Sequence, residues 1–214
     1  MNEISYSQPI NGIIVEGGEQ QGKSTFIEKL QNEINLPFYH YSHLPEDFDY
    51  FDDYFKQIKK YAELGQGIIF DRHYLSELVY GKILRDGPRI TPEKLEKIER
   101  RLSQLGYFIV LLDRGEHEWE QRKEEAHGPN REMVQINYEL NKSIQKGFKQ
   151  ACQENISLPY VIVDAFDERS VMYVAKLYTM RMYEIQAKII NAETGGKFIN
   201  HMNSSLHRKI FPIN

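Results

Sequence analysis

The run Gly17-Gly18-Glu19-Gln20-Gln21-Gly22-Lys23-Ser24-Thr25 constrains this chain more than any other feature. It fits the spacing G-x-x-x-x-G-K-[ST]. It lies between an apolar run, Ile10 to Glu16, and a helical stripe of Phe26, Ile27, Leu30 and Ile34. A strand, a glycine-rich loop and a helix in that order curl backbone N–H groups around phosphate oxygens, and the helix start adds its positive dipole end. Lys23 is then placed to reach the β- and γ-phosphates of a nucleotide, and the Ser24 hydroxyl to ligate Mg²⁺.

The rest of the chain keeps the alternation that such a unit demands. Short apolar runs at Pro37–Tyr41, Ile68–Asp71, Tyr107–Asp113 and Pro159–Asp164 read as strands. Between them lie apolar residues at spacings of three and four: Phe48, Phe51, Phe55, Ile58 and Ala62; Leu95, Ile98, Leu102 and Leu105; Met133, Ile136, Leu140, Ile144 and Phe148; and Val171, Val174, Tyr178, Met182 and Ile185. A further helix is expected from Tyr74 to Arg85, and Thr91-Pro92 has the residue types of an N-cap and first helical position. The expected fold is α/β: one doubly wound domain over 10–190 with a five-stranded parallel sheet, followed by a tail from 191 to 214. In such sheets ligands lie beyond the carboxyl ends of the strands. The residues to watch are therefore 17–25, 40–47, 71–77, 113–131 and 164–168.

Composition narrows the partners. The 214 residues carry a formal net charge of −4, which weighs against a nucleic-acid partner held by its phosphates and favours a small ligand. No apolar run approaches the roughly 20 residues of a membrane span. The start of the chain lacks the basic and apolar regions of a signal peptide, and Cys152 is the one cysteine. A reducing compartment, the cytoplasm, is the expectation. Cys152 follows Phe148 at helical spacing and reads as a packed thiol. The histidines give no metal-ligand spacing with cysteine, so zinc is not expected.

The segment Ile68-Ile69-Phe70-Asp71-Arg72-His73 delivers a carboxylate and a guanidinium to the ligand edge. Asp71 there holds Mg²⁺ or accepts a proton, and Arg72 clamps a phosphate in a fork. Glu16, Asp113 and Asp164 also end strands; Asp71 is favoured because Arg72 accompanies it. After the fourth strand stands Leu112-Asp113-Arg114-Gly115, which is not the N-K-x-D of GTPases.

The phosphate loop, Asp71-Arg72-His73 with Ser76 and Tyr80-Gly81, and the charged stretch around Arg122 together resemble the thymidylate kinase and deoxynucleoside kinase group of P-loop kinases. The wording near Glu77 is similar to that of kinases of viral, or phage, nucleotide metabolism. The resemblance spans about residues 10–190. It implies a sheet order of 2-3-1-4-5, ATP with Mg²⁺, a nucleoside or nucleoside monophosphate as acceptor, and a homodimer. It gives Arg72, Ser76 and Tyr80 to the acceptor, Ser24 and Asp71 to the metal, and Lys23, Asp71 and Arg72 to catalysis. It places a lid at about 116–132 whose arginines, Arg122 first and Arg131 second, neutralise the transferring group. The stretch Tyr41 to Asp47 departs from the family's acidic turn, with Glu46 or Asp47 the nearest stand-in. The aromatic run from Phe38 to Phe55 offers rings to a base or to the core.

The expected activity is phosphorylation of a thymidylate-like deoxynucleoside monophosphate. The alternatives are a deoxynucleoside 5′-kinase, a kinase of a modified base in DNA, and a nucleotide-binding regulatory module.

Overall fold

The structure is a computed structural model and describes residues 11–19, 21–41, 44–115 and 138–194. Five parallel strands form one sheet: β1 (Ile13–Glu16), β2 (Phe38–His40), β3 (Ile69–Asp71), β4 (Phe108–Leu112) and β5 (Tyr160–Val163). Their order is β2-β3-β1-β4-β5, as expected. The register aligns Val15 with Asp71, His40 with Asp71, and Leu112 with Val163, so all five strands end on one edge.

Every residue of β1, β3 and β4 is buried, which is why these runs are Ile, Val, Leu and Phe until the acids Glu16 and Asp71 that close β1 and β3. Alternate residues serve opposite faces. Ile13, Val15, Ile69, Val110 and Leu112 pack under α1 (Lys23–Ile34) and α6 (Glu168–Thr194). Ile14, Phe70, Ile109 and Leu111 pack under α2 (Asp52–Ala62), α3 (Tyr74–Leu84), α4 (Pro92–Gln104) and α5 (Tyr138–Glu154).

Thr91 caps α4 by accepting from the Lys94 N–H, with Pro92 at the first position. Cys152 is buried among apolar residues, and burial pushes its thiol up to about 12. Of the stripe expected for α2, Ile58 and Ala62 are buried; in its first half Tyr50 and Tyr54 take the buried places, while Phe48, Phe51 and Phe55 pack partly buried against them. The helix also starts later, because the Asp49 carboxylate accepts from the N–H groups of Phe51 and Asp52 and turns the chain there. The last helix runs to Thr194, beyond the expected start of the tail at 191. Met133, Ile136, the 116–132 segment and residues 195–214 lie outside the described residues. Among the described residues no helix is long and apolar enough to cross a membrane.

Gly67 marks how closely the chain passes itself: a Cβ there would run into the Asn11 carbonyl oxygen. Gly67→Ala is expected to lower stability by about 1–3 kcal/mol, the usual effect of overpacking a closed site. Urea unfolding of the purified variant checks it, and an unchanged midpoint would contradict the contact.

Candidate active site at the carboxyl edge of the sheet

The loop 17–22 leaves β1 and enters α1 through Gly22, whose φ of 79° is left-handed and suits glycine. A side chain there would also strike the Phe166 ring. Ser24 and Thr25 are exposed in the first turn of α1. Lys23 is buried and donates to the carbonyls of Gly17 (2.8 Å) and Gly18 (2.6 Å). Burial, then the charge of Arg72, lowers its pKa to about 8.

Two glutamines brace the loop. Gln145 of α5 accepts from the Gly18 N–H (2.9 Å) and donates to the Leu112 carbonyl (2.9 Å). Gln21 accepts from the Arg114 N–H (3.1 Å). The Arg114 guanidinium lies 3.1 Å from the centre of the Phe166 ring, beside the loop. Gln20 is not among the described residues.

β3 brings Asp71 and Arg72 to the same place. Arg72 has φ 70°, a left-handed conformation in a residue with a side chain, of the kind that costs roughly 1–3 kcal/mol and clusters at functional sites. Its guanidinium pairs with Glu19 of the loop and lies 5.4 Å from the Tyr80 ring. Tyr80 donates to the same Glu19 oxygen (3.1 Å). Burial pushes Glu19 up, but the Arg72 charge and hydrogen bond outweigh it and hold the carboxyl below its usual range.

The Asp71 Oδ2 bonds His40 Nδ1 at 2.8 Å, while its Oδ1 is buried with no hydrogen-bond partner. An unpartnered carboxylate oxygen such as this, and a serine hydroxyl such as the exposed one of Ser24, are hard donors that suit Mg²⁺. Among the described residues no group of three or more His, Cys, Asp or Glu side chains could hold a metal. The residues therefore fit an ion that arrives with phosphates as its main ligands, held by Ser24 and Asp71.

A cleft of about 480 Å³ runs from Arg72 along α3. His40, Tyr41 and Leu44 line one side, Ser76 and Tyr80 the other, and Glu77, Arg85 and Arg89 are also in its wall. Glu77 is buried. It pairs with Arg85 and accepts from the Arg89 N–H (2.8 Å), which holds it low despite its burial.

Of the expected residues, Gly17, Gly18, Glu19, Gln21, Gly22, Lys23, Asp71, Arg72 and Tyr80 converge. Ser76 lines the cleft, but its hydroxyl is given to Glu16 (2.6 Å). Glu46 and Asp47 are exposed and outside the cleft lining. Asp113 pairs with Lys149 (2.5 Å), and Asp164 accepts from the Phe166 N–H (2.9 Å). Arg122 and Arg131 lie outside the described residues. The sequence reading missed His40, Gln145, Arg85 and Arg89. Glu77, noted only for the wording around it, was the signal for the last two: an acid on the inward face of α3 needs a partner.

Glu16 is fully buried, and burial outweighs its hydrogen bonds to raise its pKa to about 7, against 4.5 ordinarily. Folding therefore takes up a proton between those values. The contribution is complete below about pH 4.5 and is lost as pH rises through about 7. Wild type should lose up to about 3 kcal/mol across that window relative to Glu16→Gln, which has no proton to bind. Urea unfolding of both proteins from pH 5 to 8 checks this, and parallel curves would refute it.

A scan against protein-family models finds no match, and neither does a search of curated proteins. Solved structures do share the fold. One is the YorR protein of Bacillus subtilis, in complex with phosphorylated GDP, at 23% identity and TM-score 0.59 over 82% of this chain and 96% of that one. A second is polyphosphate kinase 2 of Arthrobacter aurescens TC1, at 16% identity and TM-score 0.63 over 85% of this chain and 71% of that one. A deoxyadenosine kinase of M. mycoides, solved with dCMP and dCDP, matches at 18% identity and TM-score 0.48, over 81% and 99%. The chain thus shares its fold with these structures: a five-stranded parallel sheet, here with the phosphate-loop motif after its central strand.

Proposed function

We propose that the chain transfers the γ-phosphoryl group of Mg·ATP to a nucleoside or nucleotide held in the cleft along α3. The observation that carries this reading is the position of Arg72. It bridges the phosphate loop, through Glu19, and the cleft, through Tyr80. A donor cradled by the loop and an acceptor lying on α3 would meet there.

Lys23 would exchange its two carbonyl partners for β- and γ-phosphate oxygens. Ser24 and Asp71 would hold Mg²⁺, which neutralises charge on the phosphates. Arg122 and Arg131 would act as the resemblance implies. A deoxynucleoside monophosphate of the thymidylate kind is the acceptor implied by the resemblance, with its phosphate on Arg72. Transfer to a nucleoside hydroxyl is favoured by a second observation. The cleft's arginines already face carboxylates, Arg72 with Glu19 and both Arg85 and Arg89 with Glu77, so the cleft accommodates an uncharged acceptor.

An assay of Mg·ATP with each deoxynucleoside, each monophosphate and modified-base DNA, with product identification, tests the reading. Transfer to none of them by protein that binds ATP would overturn it. Binding itself has a simple readout. Millimolar Mg·ATP should raise the melting temperature while Mg²⁺ alone does not, because a ligand of the native state stabilises it by mass action. An unshifted melt would exclude a working nucleotide site.

A further inference from the structure

We propose that Glu16 is a positioning residue that fixes the acceptor-side arginine relative to the donor loop. It closes β1 immediately before Gly17, so the phosphate loop hangs from it. Its carboxylate, however, is turned toward α3. Oε1 accepts from the N–H groups of His73 (2.8 Å) and Ser76 (3.2 Å), and Oε2 from the Ser76 hydroxyl (2.6 Å).

The first N–H groups of a helix have no partners within it. His73, the cap residue of α3, supplies no side-chain bond of its own. Glu16 therefore caps α3 from another element. One residue earlier, Val15 accepts from the Arg72 N–H at 3.0 Å. Consecutive residues of β1 thus restrain the chain at 72, 73 and 76.

Those restraints surround the left-handed φ of Arg72. Such a backbone persists only where its surroundings over-determine it. The conformation turns the guanidinium back toward Glu19 and over Tyr80 instead of along the strand direction. With the carboxylate gone, the turn is free to relax to extended backbone, and Arg72 leaves the seam between loop and cleft. All three hydrogen-bond donors are uncharged, so the glutamine variant separates bond acceptance from the charge that Glu16 also presents to Arg72 and Lys23. Glutamine can accept both N–H bonds through its carbonyl, and its amide can donate to the Ser76 oxygen.

The kinetic test rests on the phosphotransferase reading; the structural test does not. Crystal structures of Glu16→Gln and Glu16→Ala come first. Glutamine should keep Arg72 left-handed and paired with Glu19, and alanine should lose both. An alanine variant with Arg72 in place overturns the proposal, whatever the activity. In kinetics with dTMP and thymidine as acceptors, alanine should lower kcat/KM for the acceptor by on the order of 10²-fold, as expected of an ångström-scale misplacement. The ATP dissociation constant should stay within about threefold, and glutamine should restore most of the acceptor loss. Equal losses in both variants would mean that charge matters instead, and loss of ATP binding would mean that the loop itself depends on Glu16. Either result overturns the proposal. If the alanine variant does not fold, Ser76→Ala removes two-thirds less of the network and should show a smaller acceptor-side loss, with unchanged acceptor kinetics and an unmoved Arg72 counting against the proposal. Should wild type phosphorylate neither probe, the kinetics are run with the acceptor that the panel identifies, and the crystal structures still decide the role of Glu16.

Discussion

Replacing Lys23 by alanine is expected to leave a folded protein whose phosphoryl transfer is lower by on the order of 10²-fold or more. The ammonium is buried at the root of the loop and, among the described residues, bonds the main-chain carbonyls of Gly17 and Gly18. A nucleotide offers it better partners, because phosphate oxygens carry the charge that the transition state spreads further. Removing the side chain leaves two carbonyls short of a donor, at about 1–3 kcal/mol each if they stay dry, but it also removes a desolvated charge. The fold should therefore survive. Circular dichroism and a thermal melt establish folding, and turnover with the best acceptor of the panel measures the loss. Near wild-type turnover in a folded variant would defeat the kinase reading.

Arg72→Ala should separate the two kinds of acceptor. If the acceptor carries a phosphate, a charge-assisted fork worth about 1.5–3 kcal/mol is lost. The acceptor KM then rises about 10- to 100-fold with the ATP dissociation constant little changed. If the acceptor is a hydroxyl, Arg72 serves the transferring group, and kcat falls with KM nearly constant. Lysine should rescue only in part, since it offers a point charge in place of a fork. The variant also releases Glu19 and Tyr80, so the structure of the apo variant should accompany the kinetics. Acceptor kinetics that match wild type in both parameters would remove Arg72 from the site.

The sheet was readable because three of its strands are buried on both faces and so announce themselves as short apolar runs; the phosphate loop fixed which strand is central. Helix stripes were readable to within a residue or so. The miss in α2 has a local cause. Phe and Tyr are alike in apolar content, and an Asp49 turn, not the pattern, sets the helix start. Asp71 and Arg72 were legible because their residue types and their place at a strand end agree. Gln145 was not, because it is 127 residues from Gly18 in sequence and carries no motif. His40 was read only as part of the aromatic run, not as a partner of Asp71, because the search there was for an acid. β2 instead ends with His40 opposite Asp71, and the following turn carries both acids into solvent.

The rings behind the cleft have a consequence for how this protein can change. Tyr41 stacks on Phe70, edges onto Tyr54 and meets His73; Tyr54 stacks on His73 at 3.7 Å between centroids. Tyr41 and His73 are cleft wall on one side and hydrophobic core on the other. There is no spare layer between the surface that meets a ligand and the interior that holds the sheet. Enlarging the cleft from that side opens a cavity in the domain at the same stroke, and large-to-small changes of buried aromatics cost about 3–5 kcal/mol, a large part of a domain's whole stability. Shifts in acceptor preference, whether by selection or by design, therefore have a cheaper route through the opposite rim at Leu84, which reaches solvent, than through the ring stack or through Arg85 and Arg89, which are tied to the buried Glu77.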